Sequence, residues 1–142
     1  MRLRKALLGL WSFGGSLGAA ALLAAPALAH HSFAMFDNTR SITLRGTVAK
    51  FQWTNPHAYL QVDADDGKGG TKHYTLEMTS PNMMSRGGWN SRTIKTGDKV
   101  TVYVSPLRNG TPGGLVLEVI LPSGKHMLPG VPNASRYART SD

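Results

Sequence analysis

From Ser41 onward, apolar and polar residues alternate in short runs, the two-residue period of half-buried β-strands. Ile42, Leu44 and Val48 share one parity, with Gly46 in the slot between them. Phe51 and Trp53 then fall on the opposite parity, so this first strand is predicted to carry a bulge or coiled bend. After the Asn55-Pro56 turn, Ala58, Leu60, Val62 and Ala64 form the apolar face of a second strand. The run Asp65-Asp66-Gly67-Lys68-Gly69-Gly70 reads as a hairpin loop. Tyr74, Leu76 and Met78 give the third strand its apolar face.

Ser80-Pro81 has the form of an N-cap followed by proline in the first helical turn. It predicts a short helix through Met83 and Met84, stopped at Gly87-Gly88. Trp89 and Ile94 are expected core anchors. Gly97-Asp98 launches a fourth strand with Val100, Val102 and Val104 inward, and residues 108–114 read as a second hairpin loop. A fifth strand is expected to turn Leu115, Leu117, Val119 and Leu121 inward, and Pro122-Ser123-Gly124 sends the chain to a short apolar end at Met127-Leu128. Three strands, one short helix, then two strands predict an all-β fold: a small five-stranded OB-fold-like barrel with the helix between strands three and four. A small sandwich or an SH3-like barrel is the rival.

The residues ahead of this pattern read differently. Arg2, Arg4 and Lys5 precede an uncharged Leu/Ala/Gly stretch from Ala6 to Ala25, and Ala27-Leu28-Ala29 has the small-residue form of a cleavage site. Residues 1–29 are therefore expected to be a signal peptide, and the protein to be periplasmic or secreted. The stretch exceeds the roughly 7–15 residues usual for such a segment, which leaves an uncleaved anchor as the alternative. Cutting at Ala25-Pro26-Ala27 would expose Leu28 instead. Residues 30–40 form an arm with Phe33 and Phe36 as anchors, 41–128 the barrel, and 129–142 a flexible tail.

Cleavage after Ala29 leaves 113 of the 142 residues, enough for one modest domain. The leader holds three of the basic residues and none of the acidic ones, so the net charge falls from +8 to about +5. No basic run is present, and nucleic acid is a poor partner for an exported chain of this kind. With no cysteine, thiolate metal sites are excluded and the core must hold without disulfides.

Candidate chemistry begins at the cleavage point. His30 as first mature residue offers a metal its free amine and its imidazole together, a pairing suited to tetragonal Cu(II). His57 would add a third nitrogen in a histidine-brace arrangement; His31 would substitute through the amine and the intervening amide, and Met35 would add a thioether to reduced copper. Against this, histidines after a cleavage site are common surface residues, and His57 can simply serve its turn.

Strand parity sends His57, Tyr59, Gln61 and Asp63 outward, and His73, Thr75 and Glu77 with them. If Gln61 pairs with Thr75, Tyr59 lies opposite Glu77, Asp63 opposite His73, and His57 diagonal to Glu77. Tyr59 and Glu77 are thus the ligand candidates of a metal-free binding face, aimed at a partner protein or a small ligand of the envelope. A third reading is a structural envelope protein held to anionic surfaces by its charge.

Met83, Met84, Met78, Met35 and Met127 fit gap-filling core residues better than a copper(I) store. Ser32 and Ser80 lack a base, and Asp63, Asp65 and Asp66 sit at a hairpin, so no catalytic constellation stands out. A copper-dependent oxidase is the one enzymatic option, and nothing suggests a substrate groove for it. The motifs His30-His31-Ser32-Phe33, Trp53-Thr54-Asn55-Pro56-His57, Ser80-Pro81-Asn82-Met83, Gly88-Trp89 and Gly97-Asp98 resemble, in order, the bacterial exported proteins of domain-of-unknown-function family 6152. That resemblance implies export and a small domain, and brings no activity with it.

Overall fold

The alternating runs become the walls of a barrel in the computed structural model, which describes residues 33–130. The strands are β1 (Ile42–Gln52), β2 (Tyr59–Asp65), β3 (Thr71–Glu77), β4 (Lys99–Pro106), β5 (Gly113–Ile120) and a two-residue β6 (His126–Met127), with helix α1 (Pro81–Arg86) between β3 and β4. Hydrogen bonding runs in the order β3-β2-β1-β4-β5, and β3 also pairs with β5. That seam is parallel, Thr75 to Gly113, Leu76 to Gly114 and Glu77 to Leu115, and it closes five strands into a barrel. The expected all-β barrel with one short helix between its third and fourth strands is what forms. The short β6 adds to β5 through Val119–Met127 and Ile120–His126.

Closure depends on β1 serving two neighbours. Its first half, Ile42 to Thr47, pairs with β4, and Gly46 to Gln52 pairs with β2. The register with β2 slips between Val48 and Lys50, which makes Ala49 the extra residue. This bulge is the physical source of the parity change: Leu44 and Val48 face the core before it, and Phe51 packs on the core after it. The barrel is filled by Leu60, Val62, Leu76, Met78, Val102, Val104, Val116 and Val119, all buried.

The helix contributes Met84 to the core. Ser80 caps it by accepting from the Met83 amide, Pro81 follows, and Gly87 ends it. Its two methionines divide cleanly, Met84 fully buried and Met83 44% exposed. Trp89 and Ile94 are buried in the core, as their placement after the helix predicts.

Three local expectations fail. The fifth strand starts at Gly113, inside the stretch read as loop, because Gly113 and Gly114 are needed for close packing. A Cβ on Gly113 would lie 2.8 Å from Leu107 Cδ1, and one on Gly114 would overlap the Ser105 carbonyl oxygen. Its facing also differs: Tyr103 pairs with Glu118 but Val104 with Val116, so Leu117 is a bulge residue. Val116 and Val119 therefore enter the core cluster, Leu115 and Leu117 are buried outside it, and Leu121 is only partly buried.

The arm is the second case. Phe36 is buried and bridges to Leu107, but Phe33 is 55% exposed and anchors nothing. Hydrogen bonds also hold the arm: the Asp37 amide donates to the Pro106 carbonyl at 2.8 Å, the Arg108 amide to the Met35 carbonyl at 3.0 Å and Arg108 Nε to the Ala34 carbonyl at 3.0 Å. The Asp37 carboxyl is held below its usual range by the Thr39 hydroxyl first, then the Thr39 amide, with Arg40 and Arg108 adding to the effect. Third, packing continues past Leu128. Pro129 is fully buried and its carbonyl accepts from the Thr79 hydroxyl.

Candidate binding face on β2 and β3

Alternation along β2 buries Leu60, Val62 and Ala64 and leaves Tyr59, Gln61 and Asp63 half-buried on the outer surface. The β2–β3 hairpin holds the register derived from parity: Tyr59 opposite Glu77, Gln61 opposite Thr75, Asp63 opposite His73. His57, just before β2, reaches diagonally to Glu77, with Nδ1 2.5 Å from Oε1. The Thr54 hydroxyl donates to the His57 carbonyl at 3.0 Å and helps fix the turn that presents the ring. The Glu77 side chain is only 16% exposed and the His57 ring 32%, so the pair sits in a partly desolvated corner.

Tyr59 shares that corner. Its phenol is pushed above the usual value of 10.0, first by burial and then by the Glu77 charge. A folded-state value raised above the unfolded one makes the native state lose stability as pH climbs from about 10 through the shifted value. Replacing Glu77 with glutamine removes the second cause. Tyr59 is then expected to ionise at lower pH than in the parent protein, read as phenolate absorbance near 295 nm with Tyr59→Phe as the blank. An unchanged titration would mean that the Glu77 charge does not reach the phenol.

Farther along the face, Asp63 Oδ1 lies 2.6 Å from His73 Nδ1, and the Gln61 amide donates to Gln52 Oε1 on β1 at 3.3 Å. The His73 pair is more open than the His57 pair, with side chains 52% and 43% exposed. A third pair, His126 Nδ1 to Glu118 Oε1 at 2.5 Å, stands on β5 and β6. Parity does not expose it, since it depends on the Pro122-Ser123-Gly124 turn returning the chain so that His126 comes beside Ile120. The outward position of Glu118 in an otherwise apolar strand is the one available signal.

The predicted metal residues separate into two groups. His57 is placed as described; His30 and His31, with the leader and the cleavage site, lie outside the described residues. Met35 lies on the described arm and is 42% exposed. Among the described residues, no group of three or more histidine or acidic side chains is placed to hold a metal ion. With Nδ1 taken by Glu77, the His57 ring presents Nε2 as its ligand position, the carboxylate–imidazole pattern that commonly backs a metal-bound histidine. By itself this pair supplies one nitrogen, so a metal here needs donors from elsewhere. Among the described residues no helix is long and apolar enough to cross a membrane.

None of the curated proteins and none of the solved structures matches the chain. A family model does match, over residues 19–117, a span from ahead of the arm to the bulge of β5. It covers well over half the chain, and by that match the protein belongs to the family of unknown function DUF6152.

Proposed function

We propose that this protein is an exported, non-catalytic binding domain that holds Cu(II) through the amine and imidazole of His30, with His57 as a further nitrogen donor. The observation that carries this reading is the 2.5 Å contact between His57 Nδ1 and Glu77 Oε1. It fixes the ring at the edge of the face and aims its second nitrogen away from the carboxylate. Copper stands at the top of the divalent series for nitrogen donors, and an amine–imidazole chelate completed by one more imidazole suits it. We read the barrel itself as OB-type, on its strand order and its parallel β3–β5 seam, and the outer face of β2 is where such barrels take ligands.

The test requires the native N-terminus, verified by mass spectrometry to begin at His30. Cu(II) titration is expected to give one equivalent of a nitrogen-rich EPR signal. Acetylation of the His30 amine is expected to weaken binding by about 100-fold, or about 2.7 kcal/mol, since the chelating amine is then lost. Glu77→Gln is expected to cost about 10-fold by loosening the ring. Equal affinity with and without the acetyl group overturns the copper reading, and an unaltered spectrum in His57→Ala removes the third donor.

A second reading keeps the face and drops the metal. Tyr59, Gln61 and Glu77 are adjacent, half-buried and polar, as a surface for a small ligand or an envelope protein would be. Equal recovery of envelope partners by the parent and by a Tyr59→Ala, Glu77→Ala double variant would count against it.

A further inference from the structure

On the barrel wall formed by β1, β4 and β5, away from the His57–Glu77 corner, lies an open hollow of about 570 Å³. Ile120, Leu121 and Pro122 give it an apolar side, and Arg45 and Lys99 stand on its opposite rim. The sheet register explains this arrangement. Arg45 pairs with Thr101 and Thr101 with Ile120, so one outward row crosses three strands from a guanidinium to a hydrocarbon side chain. Lys99 is steadied by the Thr47 hydroxyl, 2.6 Å from its Nζ.

Among the described residues no carboxylate lines the hollow. Among the described residues neither Arg45 nor Lys99 forms an ion pair. The nearby acidic groups have other partners: Glu118, opposite Tyr103, lies 2.5 Å from His126, Asp63, opposite Thr47, lies 2.6 Å from His73, Asp65 accepts from the Gly67 amide and Asp98 from the Lys95 amide. Two neighbouring cations beside uncovered apolar surface, in a volume suited to a small molecule, give a definite ligand chemistry. We propose that this hollow binds a soluble amphipathic anion, a phosphate or carboxylate head on a short hydrocarbon chain. The head pairs with Arg45 and Lys99 and the chain covers Ile120 and Leu121. Arginine supplies a bidentate fork for the oxyanion, which lysine alone does not.

Octyl phosphate, below its micelle concentration, is the probe, titrated into the ¹⁵N-labelled protein and followed by NMR. Saturating shifts are expected at the Thr101, Ile120 and Gly124 amides. Arg45→Gln is expected to weaken binding by about tenfold, the usual worth of a charge-assisted hydrogen bond. Inorganic phosphate and octyl glucoside, each carrying half of the chemistry, are expected to bind far more weakly. The proposal is overturned if these amides do not shift, if Arg45→Gln binds as the parent does, or if either half-ligand matches octyl phosphate. Capture by phosphatidylglycerol vesicles without binding of soluble octyl phosphate also overturns it, because the surface is then a membrane contact. Arg45 is exposed, so its variant keeps the fold and the outcome reads on binding alone.

Discussion

Gly46→Val is expected to destabilise the barrel by about 3 kcal/mol or more, a large part of the roughly 5–15 kcal/mol available to a domain of this size. A Cβ at this position would overlap the Asp63 carbonyl oxygen and lie 2.8 Å from Ala64 Cα. Both obstacles are backbone of the neighbouring strand, so no side chain can rotate away to make room. Gly46 is also one of the two β1 residues that pair with β2 and β4 together, Ala64 on one side and Val100 on the other. Relief on one side therefore breaks hydrogen bonds on the other. The comparison is Gly67→Ala in the β2–β3 loop, where nothing lies within 4 Å but φ is +73°. Strain of the left-handed backbone alone is expected to cost about 1 kcal/mol there. Urea unfolding followed by far-ultraviolet circular dichroism separates the two. Equal midpoints for both variants would show that close strand approach is not what Gly46 serves.

The glycine of close strand approach and the bulge after it were legible in the sequence, because Gly46 interrupts a regular parity and the parity then reverses. The site on β2 and β3 was legible for the same reason. Ala58, Leu60, Val62 and Ala64 leave no doubt about which side is buried, so the opposite side follows at once, Tyr59 against Glu77 and His57 within reach. On β5 that logic breaks down. Leu115, Val116, Leu117, Val119 and Ile120 are apolar on both parities, and only Glu118 marks a side. The bulge at Leu117 is imposed by pairing with β4, and the sequence of β5 alone holds no trace of it. The arm is a similar case. Phe33 and Phe36 are equal as residues, and backbone bonds to Pro106 and Arg108 decide which of them is buried. The pair His126–Glu118 and the Arg45–Lys99 hollow both depend on where the β5–β6 turn brings the chain back, a long-range outcome that local pattern does not carry.

Trp89→Ala is expected to cost about 3–5 kcal/mol, the range for emptying a large aromatic site in a core. Trp89 is 2% exposed and belongs to the central cluster. Its ring lies 6.2 Å from that of Phe51, which in turn meets Trp53 edge-on at 5.8 Å. The indole also donates from Nε1 to the Leu128 carbonyl at 2.9 Å, tying the segment after β6 to the end of the helix. Packing and this hydrogen bond make separable contributions. Trp89→Phe retains most of the ring area and gives up the part-buried bond. The expected cost of the phenylalanine variant is therefore only about 1 kcal/mol plus a small cavity. Chemical denaturation by far-ultraviolet circular dichroism is the suitable readout, since tryptophan fluorescence changes with the substitution itself. If phenylalanine proves as costly as alanine, the bond to Leu128 matters more than the ring's burial, and the last packed residues of the chain hold the barrel end closed. If it is mild, the aromatic row Trp53–Phe51–Trp89 closes that end by area, and the hydrogen bond serves to position the chain beyond β6.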